Sequence, residues 1–115
     1  SNKKETMNPE ITLEDIAKLD LQVATVLQAE RVPKAEKLLK LEVQTGQDIR
    51  TIVAGIAKSY SPEEMIGKQV VIIANLKPAK LMGVRSEGML LAAVAEGITA
   101  VITPEKSVPP GTTVR

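Results

Sequence analysis

The stretch from Lys37 to Thr45 constrains the fold more than any other, because apolar and polar residues alternate along most of it. The two sets are Leu39, Leu41 and Val43 on one side of an extended chain, and Lys40, Glu42 and Gln44 on the other. A period of two is typical of a β-strand with one buried face. A polar turn over residues 46–48 precedes a second apolar run over residues 49–56, so the sequence predicts a β-hairpin.

One short helix interrupts a series of further predicted strands. Ser61 suits the N-cap of a helix, Pro62 suits its first position, and Glu64 completes a capping box. Before this helix, the apolar residues 21–29 predict a long, curved first strand that ends before Pro33. After the helix, strands are predicted over residues 70–74, 88–94, 98–102 and 112–114, with a loop over residues 75–84.

The N-terminal part of the chain predicts a linker and a second short helix. Thr12 can cap a helix whose first turn contains Glu14 and Asp15, because carboxylates are stabilised near the positive end of a helix. Ser1 and Asn2 look like the remnant of a tag, and we expect residues 1–10 to be this remnant and a linker. Residues 11–115 are then one domain, which is a usual length for a single domain.

The order of these elements is strand, strand, strand, helix, strand and strand, followed by additional β-structure. A helix between the third and fourth of five strands is the order of an OB-fold, although other small barrels share the local pattern. The expected fold is therefore all-β: a five-stranded OB-fold barrel with a short helix between strands 3 and 4, a short N-terminal helix and a C-terminal β extension. OB-folds bind oligonucleotides on one face and through the loops beside it.

Three absences from the sequence exclude most kinds of chemistry. The chain contains no Cys and no His, so it lacks thiol nucleophiles, cysteine zinc sites, the usual general base and the commonest nitrogen ligand of metals. No catalytic residue, metal or cofactor is therefore expected in this chain. Tyr60 is the only aromatic residue, so the bases of a single strand would find almost nothing to stack on. A nucleic acid would be held through phosphates, sugars and overall shape.

The basic residues are concentrated in the middle of the chain. Although the net charge is only +1, residues 31–88 contain ten Lys or Arg against six Asp or Glu. This distribution predicts a partner surface in that segment, while ordinary surface scatter would give a similar count. The sequence has neither an apolar run long enough for a membrane span nor the apolar region of a signal peptide. We therefore expect no membrane association and a cytoplasmic location.

The segment from Asn75 to Met89, NLKPAKLMGVRSEGM, resembles a motif of the tRNA-binding domain family. Other parts of the chain resemble further segments of the family pattern, and these are residues 20–23, 33–39, 52–56 and 60–64. The resemblance covers most of the chain, from about Thr12 to the C-terminus. The family often has Arg where this chain has Gln22 and Asp where it has Glu36. The missing cation at Gln22 bears on the strength of binding.

The family includes the C-terminal domain of bacterial methionyl-tRNA synthetases, free-standing tRNA-binding proteins, the N-terminal part of phenylalanyl-tRNA synthetase β chains and export chaperones of the CsaA type. The resemblance implies an OB barrel that binds tRNA and forms a homodimer. We expect the dimer interface over residues 97–115, because the Pro-Pro-Gly segment and the additional β-structure there exceed what a five-stranded barrel needs. By matching position it implies tRNA contacts at Lys34, Lys37, Asn75, Lys77, Lys80, Arg85, Ser86 and Met89.

Each of these residues also has a simpler interpretation. Three cations crowd the segment 77–85 and predict phosphate clamping, with affinity that falls as salt rises, whereas a charged loop also serves solubility. Ser86 and Asn75 are common turn residues that bond nearby backbone, and Met89 would ordinarily fill a core. Lys34 and Lys37 suit a nucleic-acid contact and an ordinary surface equally well.

The sequence therefore favours a non-catalytic tRNA-binding module that serves as the C-terminal appendix and dimerisation domain of a methionyl-tRNA synthetase. Such an appendix raises the tRNA affinity of its parent enzyme through effective concentration. Two alternatives remain open: a free-standing tRNA-binding protein, for which Met7 would be the first residue, and a peptide-binding export chaperone of the CsaA type with an apolar groove. The linker-like N-terminus favours the synthetase interpretation.

Overall fold

β-Strands dominate the computed structural model of the protein, which describes residues 7–115. The strands are β1 (Leu21–Val32), β2 (Ala35–Gln44), β3 (Ile49–Ala54), β4 (Gln69–Ile73), β5 (Ala79–Leu81), β6 (Val84–Ser86), β7 (Met89–Leu90), β8 (Ala92–Ala95), β9 (Ile98–Val101) and β10 (Thr113–Val114). The helices are α1 (Leu13–Ala17) and α2 (Pro62–Met65). The first six residues of the predicted linker lie outside the described residues.

The long strand β1 organises the sheet because it pairs with three other strands. Its first half pairs with β4, where Val23 lies opposite Val71, and its second half pairs with β2, where Val26 lies opposite Val43. The short strand β10 joins β1 at Leu21. All three pairings are antiparallel. The predicted long first strand is confirmed and extends to Val32.

The main sheet has the strand order β3–β2–β1–β4–β7, and α2 lies between β3 and β4 along the chain. The predicted all-β, OB-like fold is thus confirmed, but the sheet is not closed by a continuous ladder. Within residues 7–115, β3 and the end of β6 are joined by the Glu87 N–H donating to the Thr51 carbonyl at 2.7 Å and the Val53 N–H donating to Ser86 Oγ at 2.9 Å. The reason is local: Gly88, at φ +138, turns the chain between β6 and β7 and interrupts the pairing.

The core includes the three side chains that the alternating pattern predicted. Leu39, Leu41 and Val43 of β2 have no exposed surface, and they belong to one cluster with Ile52 of β3 and Met65 of α2. These five residues come from three consecutive elements of the chain. The predicted hairpin of β2 and β3 therefore provides one wall of the core, and α2 contributes Met65 to the same cluster.

Both helices begin at the residues that the sequence predicted. The Ser61 hydroxyl accepts from the Glu64 N–H, and the Glu64 carboxylate accepts from the Ser61 N–H at 2.7 Å. Thr12 and Asp15 form the same reciprocal arrangement at the start of α1. The backbone N–H of Thr12, and then the Lys18 ammonium, hold the pKa of the Asp15 carboxyl below its ordinary value because both stabilise the charged form.

Two local predictions are wrong. Residues 79–86 form the β5–β6 hairpin instead of the end of a loop, because Met82 (φ +49) and Gly83 (φ +81) make a tight turn whose central residues both have positive φ. Met is uncommon in that conformation, so the sequence gives no turn signal there. The strand predicted over residues 88–94 is divided into β7 and β8, because the chain leaves the edge of β4 after Leu91 and pairs with β9.

The C-terminal segment crosses the barrel very closely at Gly111. Its N–H donates to the Val23 carbonyl at 2.7 Å, and the Val23 N–H donates to the Thr112 carbonyl at 2.9 Å. Gly111 has φ +92, and a Cβ added there would lie only 2.5 Å from the backbone nitrogen of Gly46. Both the conformation and the space therefore require glycine at this crossing.

Replacing Gly111 with Ala should destabilise the protein more than replacing Gly67. Gly67 has a similar φ of +89, but no atom lies within 4 Å of an added Cβ, so Gly67→Ala tests the conformation alone, at about 1–2 kcal/mol. Gly111→Ala adds a backbone clash and should lower the free energy of unfolding by at least about 1 kcal/mol more. Urea unfolding of both variants measures this. Equal losses would show that the C-terminal segment moves away from Gly46 at no cost.

Candidate nucleic-acid interface

The β5–β6 hairpin, residues 79–86, is the basic arm of the molecule. Lys80 lies opposite Arg85 in its register, so the two side chains share one face of the hairpin. Both are exposed, as is Lys77 just before the arm. The structure thus brings two of the predicted phosphate contacts together and places the third at the entrance to the same hairpin.

Nearby carboxylates do not fully neutralise Lys80 and Arg85, the two opposed cations of the basic arm. Arg85 Nε lies 3.9 Å from Glu87 Oε2, but both side chains are largely exposed, where such pairs contribute little. Lys80 forms no salt bridge within residues 7–115. Like charges directly opposite each other weaken a pair of strands. A bound phosphate would relieve this repulsion and accept charge-assisted hydrogen bonds, so the arm is suited to bind an anion.

The chain enters the basic arm through a first root at residues 74 and 75. Asn75 Oδ1 accepts from the Asp20 N–H, and Asn75 Nδ2 donates to the Lys18 carbonyl, both at 2.8 Å. The Arg50 guanidinium of β3 donates to the Ala74 carbonyl at 2.6 Å. Both ends of the Asn75 amide are engaged in the fold, which agrees with its simpler interpretation as a residue that bonds backbone.

The chain leaves the basic arm through a second root at residues 86–88. Ser86 is only 5% exposed, and its Oγ accepts from the Val53 N–H at 2.9 Å and donates to the Gly88 carbonyl at 3.2 Å. Its hydroxyl therefore both donates and accepts within the fold, and its predicted contact with a nucleic acid stays a prediction. Glu87 follows with its own N–H donated to β3. The second root is thus bonded to β3 through two successive residues.

Met89 begins β7 just after the second root and is 47% exposed, so it does not fill the core. It lines an open apolar groove together with Val53, Ile56, Ala92 and Val94. The groove lies between the end of β3 and the β8–β9 hairpin. The predicted apolar contact of Met89 with a nucleotide stays a prediction, and the exposure that it requires is present.

Lys34 and Lys37 lie at the end of the β1–β2 hairpin, which extends beyond the last residue of β3. Lys34 follows Pro33 in a tight turn and has φ +65, a conformation that few residues other than glycine adopt. The Lys37 carbonyl accepts from the Ala57 N–H at 3.0 Å, which places the exposed Lys58 beside this end of the hairpin. Sequence reasoning missed Lys58, because only this tertiary hydrogen bond relates it to Lys37.

The arrangement matches the positions through which OB-folds bind oligonucleotides. Those are the loop between the first two strands, here the turn at Lys34, and the loop between the last two strands of the barrel, here the basic arm. No group of three or more His, Cys, Asp or Glu residues that could hold a metal ion occurs within residues 7–115. In the same range, no helix has the length and apolar character needed to cross a membrane.

Tyr60, the single aromatic residue, is engaged inside the molecule. Its ring packs against the core cluster, and its hydroxyl accepts from the Val101 N–H at 3.1 Å. Lys68 Nζ lies 5.9 Å from the centre of the ring, within the range of a cation–π contact. The prediction that Tyr60 packs rather than stacks on a base agrees with these contacts.

Comparisons with known proteins match this chain over nearly its whole length. The family model described as "Putative tRNA binding domain" matches residues 21–113. The methionine–tRNA ligase of Archaeoglobus fulgidus is 53% identical over 112 residues, which are 97% of this chain and 17% of that protein. This chain therefore spans about a sixth of the length of the curated relatives that it matches.

Two solved structures have the same fold. The "MetRS related protein" from Pyrococcus horikoshii is 38% identical, with a TM-score of 0.88 over 94% of this chain and 100% of that chain. The chaperone CsaA from Bacillus anthracis is 32% identical, with a TM-score of 0.85 over 93% of this chain and 100% of that chain.

Removing one of the two opposed cations should stabilise the protein in the absence of a ligand. Lys80→Gln relieves the cross-strand repulsion and should raise the free energy of unfolding by about 0.2–1 kcal/mol at low salt, and added salt should reduce the gain. Urea unfolding at two salt concentrations measures it. The control is Lys106→Gln, because Lys106 is exposed and lies outside the strands. Equal stability of the two variants at low salt would show that Lys80 and Arg85 do not interact.

Proposed function

Because the chain belongs to the tRNA-binding domain family, we propose that it binds tRNA through the shape and the phosphates of the folded molecule and catalyses no reaction. The pair of cations on the basic arm, Lys80 opposite Arg85, carries this proposal. Cations that contact phosphates fix the position of a protein on a nucleic acid without reading its bases. Lys77, at the entrance to the arm, extends the same surface.

The state of Tyr60 supports recognition by shape. Proteins that bind single strands without sequence preference stack the bases on aromatic side chains. The only aromatic ring of this chain packs on its own core, and its hydroxyl holds the β8–β9 hairpin. A folded RNA offers phosphates and 2′-hydroxyl groups along rigid surfaces, and these can be bound without stacking.

We propose further that the domain acts as an appendix of a methionine–tRNA ligase. The curated relatives with this name are about 50% identical to the chain and match it over about a sixth of their length. An appendix that holds tRNA raises its effective concentration at the catalytic part of the same protein, without adding specificity. A location in the cytoplasm, where tRNA is charged, is part of this proposal.

Two alternatives have support of their own. The chain covers the whole of the related protein from Pyrococcus horikoshii, so a free-standing tRNA-binding protein fits the same fold. The chain also covers the whole of the CsaA chaperone from Bacillus anthracis, and the open apolar groove beside Met89 is the feature that favours peptide binding. The opposed cations of the basic arm favour tRNA over a peptide, since an unfolded chain carries no regular array of anions.

We propose that the module is a homodimer through its C-terminal extension, and specifically through the β8–β9 hairpin. Within residues 7–115 these two strands pair only with each other, and only one face of the hairpin packs on the core, through Ala92 and Val101. A two-stranded hairpin needs such packing to be stable in water, so cover on its other face would add to its stability. Ile98 is 62% exposed, and its register opposite Ala95 places both side chains on the face of the hairpin turned away from Val94 and the apolar groove. A second copy, related by a twofold axis, would cover this apolar face.

The rest of the C-terminal extension bonds to its own barrel, so we place the proposed interface on the β8–β9 hairpin, of which only β9 lies within residues 97–115. Gln69 donates to the Val108 carbonyl at 2.7 Å and accepts from the Val108 N–H at 3.1 Å. The strand β10 pairs with β1. Deleting this segment would therefore damage the barrel, and a point substitution in the β8–β9 hairpin is the cleaner test of dimerisation.

Titration of fluorescently labelled tRNA with the protein should give saturable binding that weakens as salt rises. Each phosphate contact contributes about one unit to the slope of log affinity against log salt, so Lys80→Gln with Arg85→Gln should lower this slope by about two. Fluorescence anisotropy measures the effect, and Lys106→Gln should leave the slope unchanged. Single-stranded DNA should bind weakly, because it lacks the folded shape.

The absence of tRNA binding by a folded wild-type protein at low salt would contradict the proposal. Titration of an unfolded, labelled peptide would then test the chaperone alternative. Loss of peptide binding on Met89→Lys would support the apolar groove as the site.

Ile98→Lys should convert a dimer to a monomer, because a charge placed in an apolar interface is costly to desolvate. Multi-angle light scattering measures the molar mass. Ile49→Lys is the matched control, since Ile49 is also 62% exposed but lies at the start of β3. If both variants keep the mass of the wild type, the β8–β9 hairpin is not the interface.

A further inference from the structure

We propose that Ser86 is a positioning residue that holds the basic arm on the barrel and does not itself touch tRNA. This inference rests on the proposed function, because it concerns how the cations of that function are placed. It assigns Ser86 a different role from the direct contact that the family resemblance implies. The observations that carry it are the burial and the hydrogen bonds of the second root.

The Ser86 hydroxyl has little left to offer a ligand. It has one hydrogen to donate, which goes to the Gly88 carbonyl at 3.2 Å, and it accepts the Val53 N–H at 2.9 Å. The residue is only 5% exposed. A phosphate could take this hydrogen only by displacing the Gly88 carbonyl, and only after the buried residue had become accessible. A direct contact between Ser86 and tRNA would therefore require breaking a hydrogen bond of the fold, whereas a purely structural role for Ser86 agrees with both of its observed bonds.

The second root forms a clasp with β3, defined as residues 86–88 bonded to residues 51–53. Besides the bond from Val53 to Ser86, the Glu87 N–H donates to the Thr51 carbonyl at 2.7 Å, and the Glu87 carboxylate accepts from the Thr51 N–H at 3.5 Å. Gly88 completes the clasp: an added Cβ would lie 3.0 Å from the Ile73 carbonyl oxygen. The clasp thus replaces the strand ladder that is absent between β3 and β7.

The first root bonds the chain at residues 74 and 75, ahead of β5, whereas Ser86 bonds the arm itself, at the end of β6. The two strands of the arm contain three residues each and pair only with each other within the described residues, and such hairpins are marginal alone. Ser86 is the last residue of β6 and directly follows Arg85. Removing its hydroxyl leaves the buried N–H of Val53 without a partner, and it frees the strand that carries Arg85. Both cations of the arm then lose their fixed position together.

The test compares Ser86→Ala with Ser61→Ala, which also removes a serine hydroxyl that accepts a backbone N–H, but at the start of α2. For each variant, the affinity for labelled tRNA is measured as a function of salt. Ser86→Ala should weaken binding at low salt and lower the salt slope by about one to two, because phosphate contacts of the arm are lost. Ser61→Ala should change stability but not the salt slope.

A mutant cycle separates positioning from direct contact. If Ser86 acts through the arm, adding Ser86→Ala to the Lys80→Gln and Arg85→Gln variant should change the dissociation constant by less than about twofold. An equal loss in both backgrounds, with an unchanged salt slope, would show that Ser86 contacts tRNA directly and would overturn the proposal. Unchanged tRNA binding by Ser86→Ala would overturn it as well.

Amide hydrogen exchange of the free protein distinguishes failure of this inference from failure of the proposed function. Ser86→Ala should accelerate exchange at Val53 and Glu87, whose N–H groups form the clasp. Unchanged exchange at both amides would overturn the clasp even if the wild type binds tRNA. If Ser86→Ala accelerates exchange but the wild type does not bind tRNA, the clasp is confirmed and the proposed function is wrong. The positioning role of Ser86 is then wrong as well.

Discussion

The two-sided pairing of β1 is the constraint on which the rest of the structure depends. The first part of β1 pairs with β4 along one edge, and the later part pairs with β2 along the opposite edge. A slip of one residue would move every side chain to the other face, so the register of β1 determines which residues of β2 enter the core. The register of β2 in turn fixes β3. Through this chain of pairings, β1 decides where Thr51 and Val53 present their backbone groups to the basic arm.

Between β3 and β7, the regular strand pairing is replaced by a few hydrogen bonds that place the basic arm. A continuous ladder would have closed the barrel and kept the chain from residue 79 to residue 90 flat against it. The glycine at position 88 instead turns the chain, and the hydroxyl of Ser86 takes the place of a backbone acceptor for Val53. The hydrogen-bonding groups of β3 are therefore still satisfied, and the preceding hairpin forms its own pairing with Lys80 and Arg85 on one face.

Sequence reasoning succeeded where the signal is local and failed where it is tertiary. The alternation of β2 and the capping box at Ser61 depend only on neighbours along the chain, and both are observed. The cations of the basic arm were predicted as a cluster, but the hairpin that carries them was missed, because its turn contains Met82 at positive φ, a position that Gly or Asn usually occupies. The burial of Ser86 was unforeseeable for another reason: its acceptor role serves Val53, which lies 33 residues earlier in the chain.

Because the net charge of the chain is small, its affinity for a nucleic acid depends on where its cations are placed. At physiological salt, exposed charges act over about 8 Å, so a ligand responds mainly to the charges that lie directly beside it. A net charge of +1 provides almost no long-range attraction for a polyanion. Binding then depends on how many phosphates meet a cation at the same moment, which is a question of geometry. A rigid arm with two cations in register meets this requirement, and a mobile loop of the same composition would not, because ordering it would cost conformational entropy for every contact.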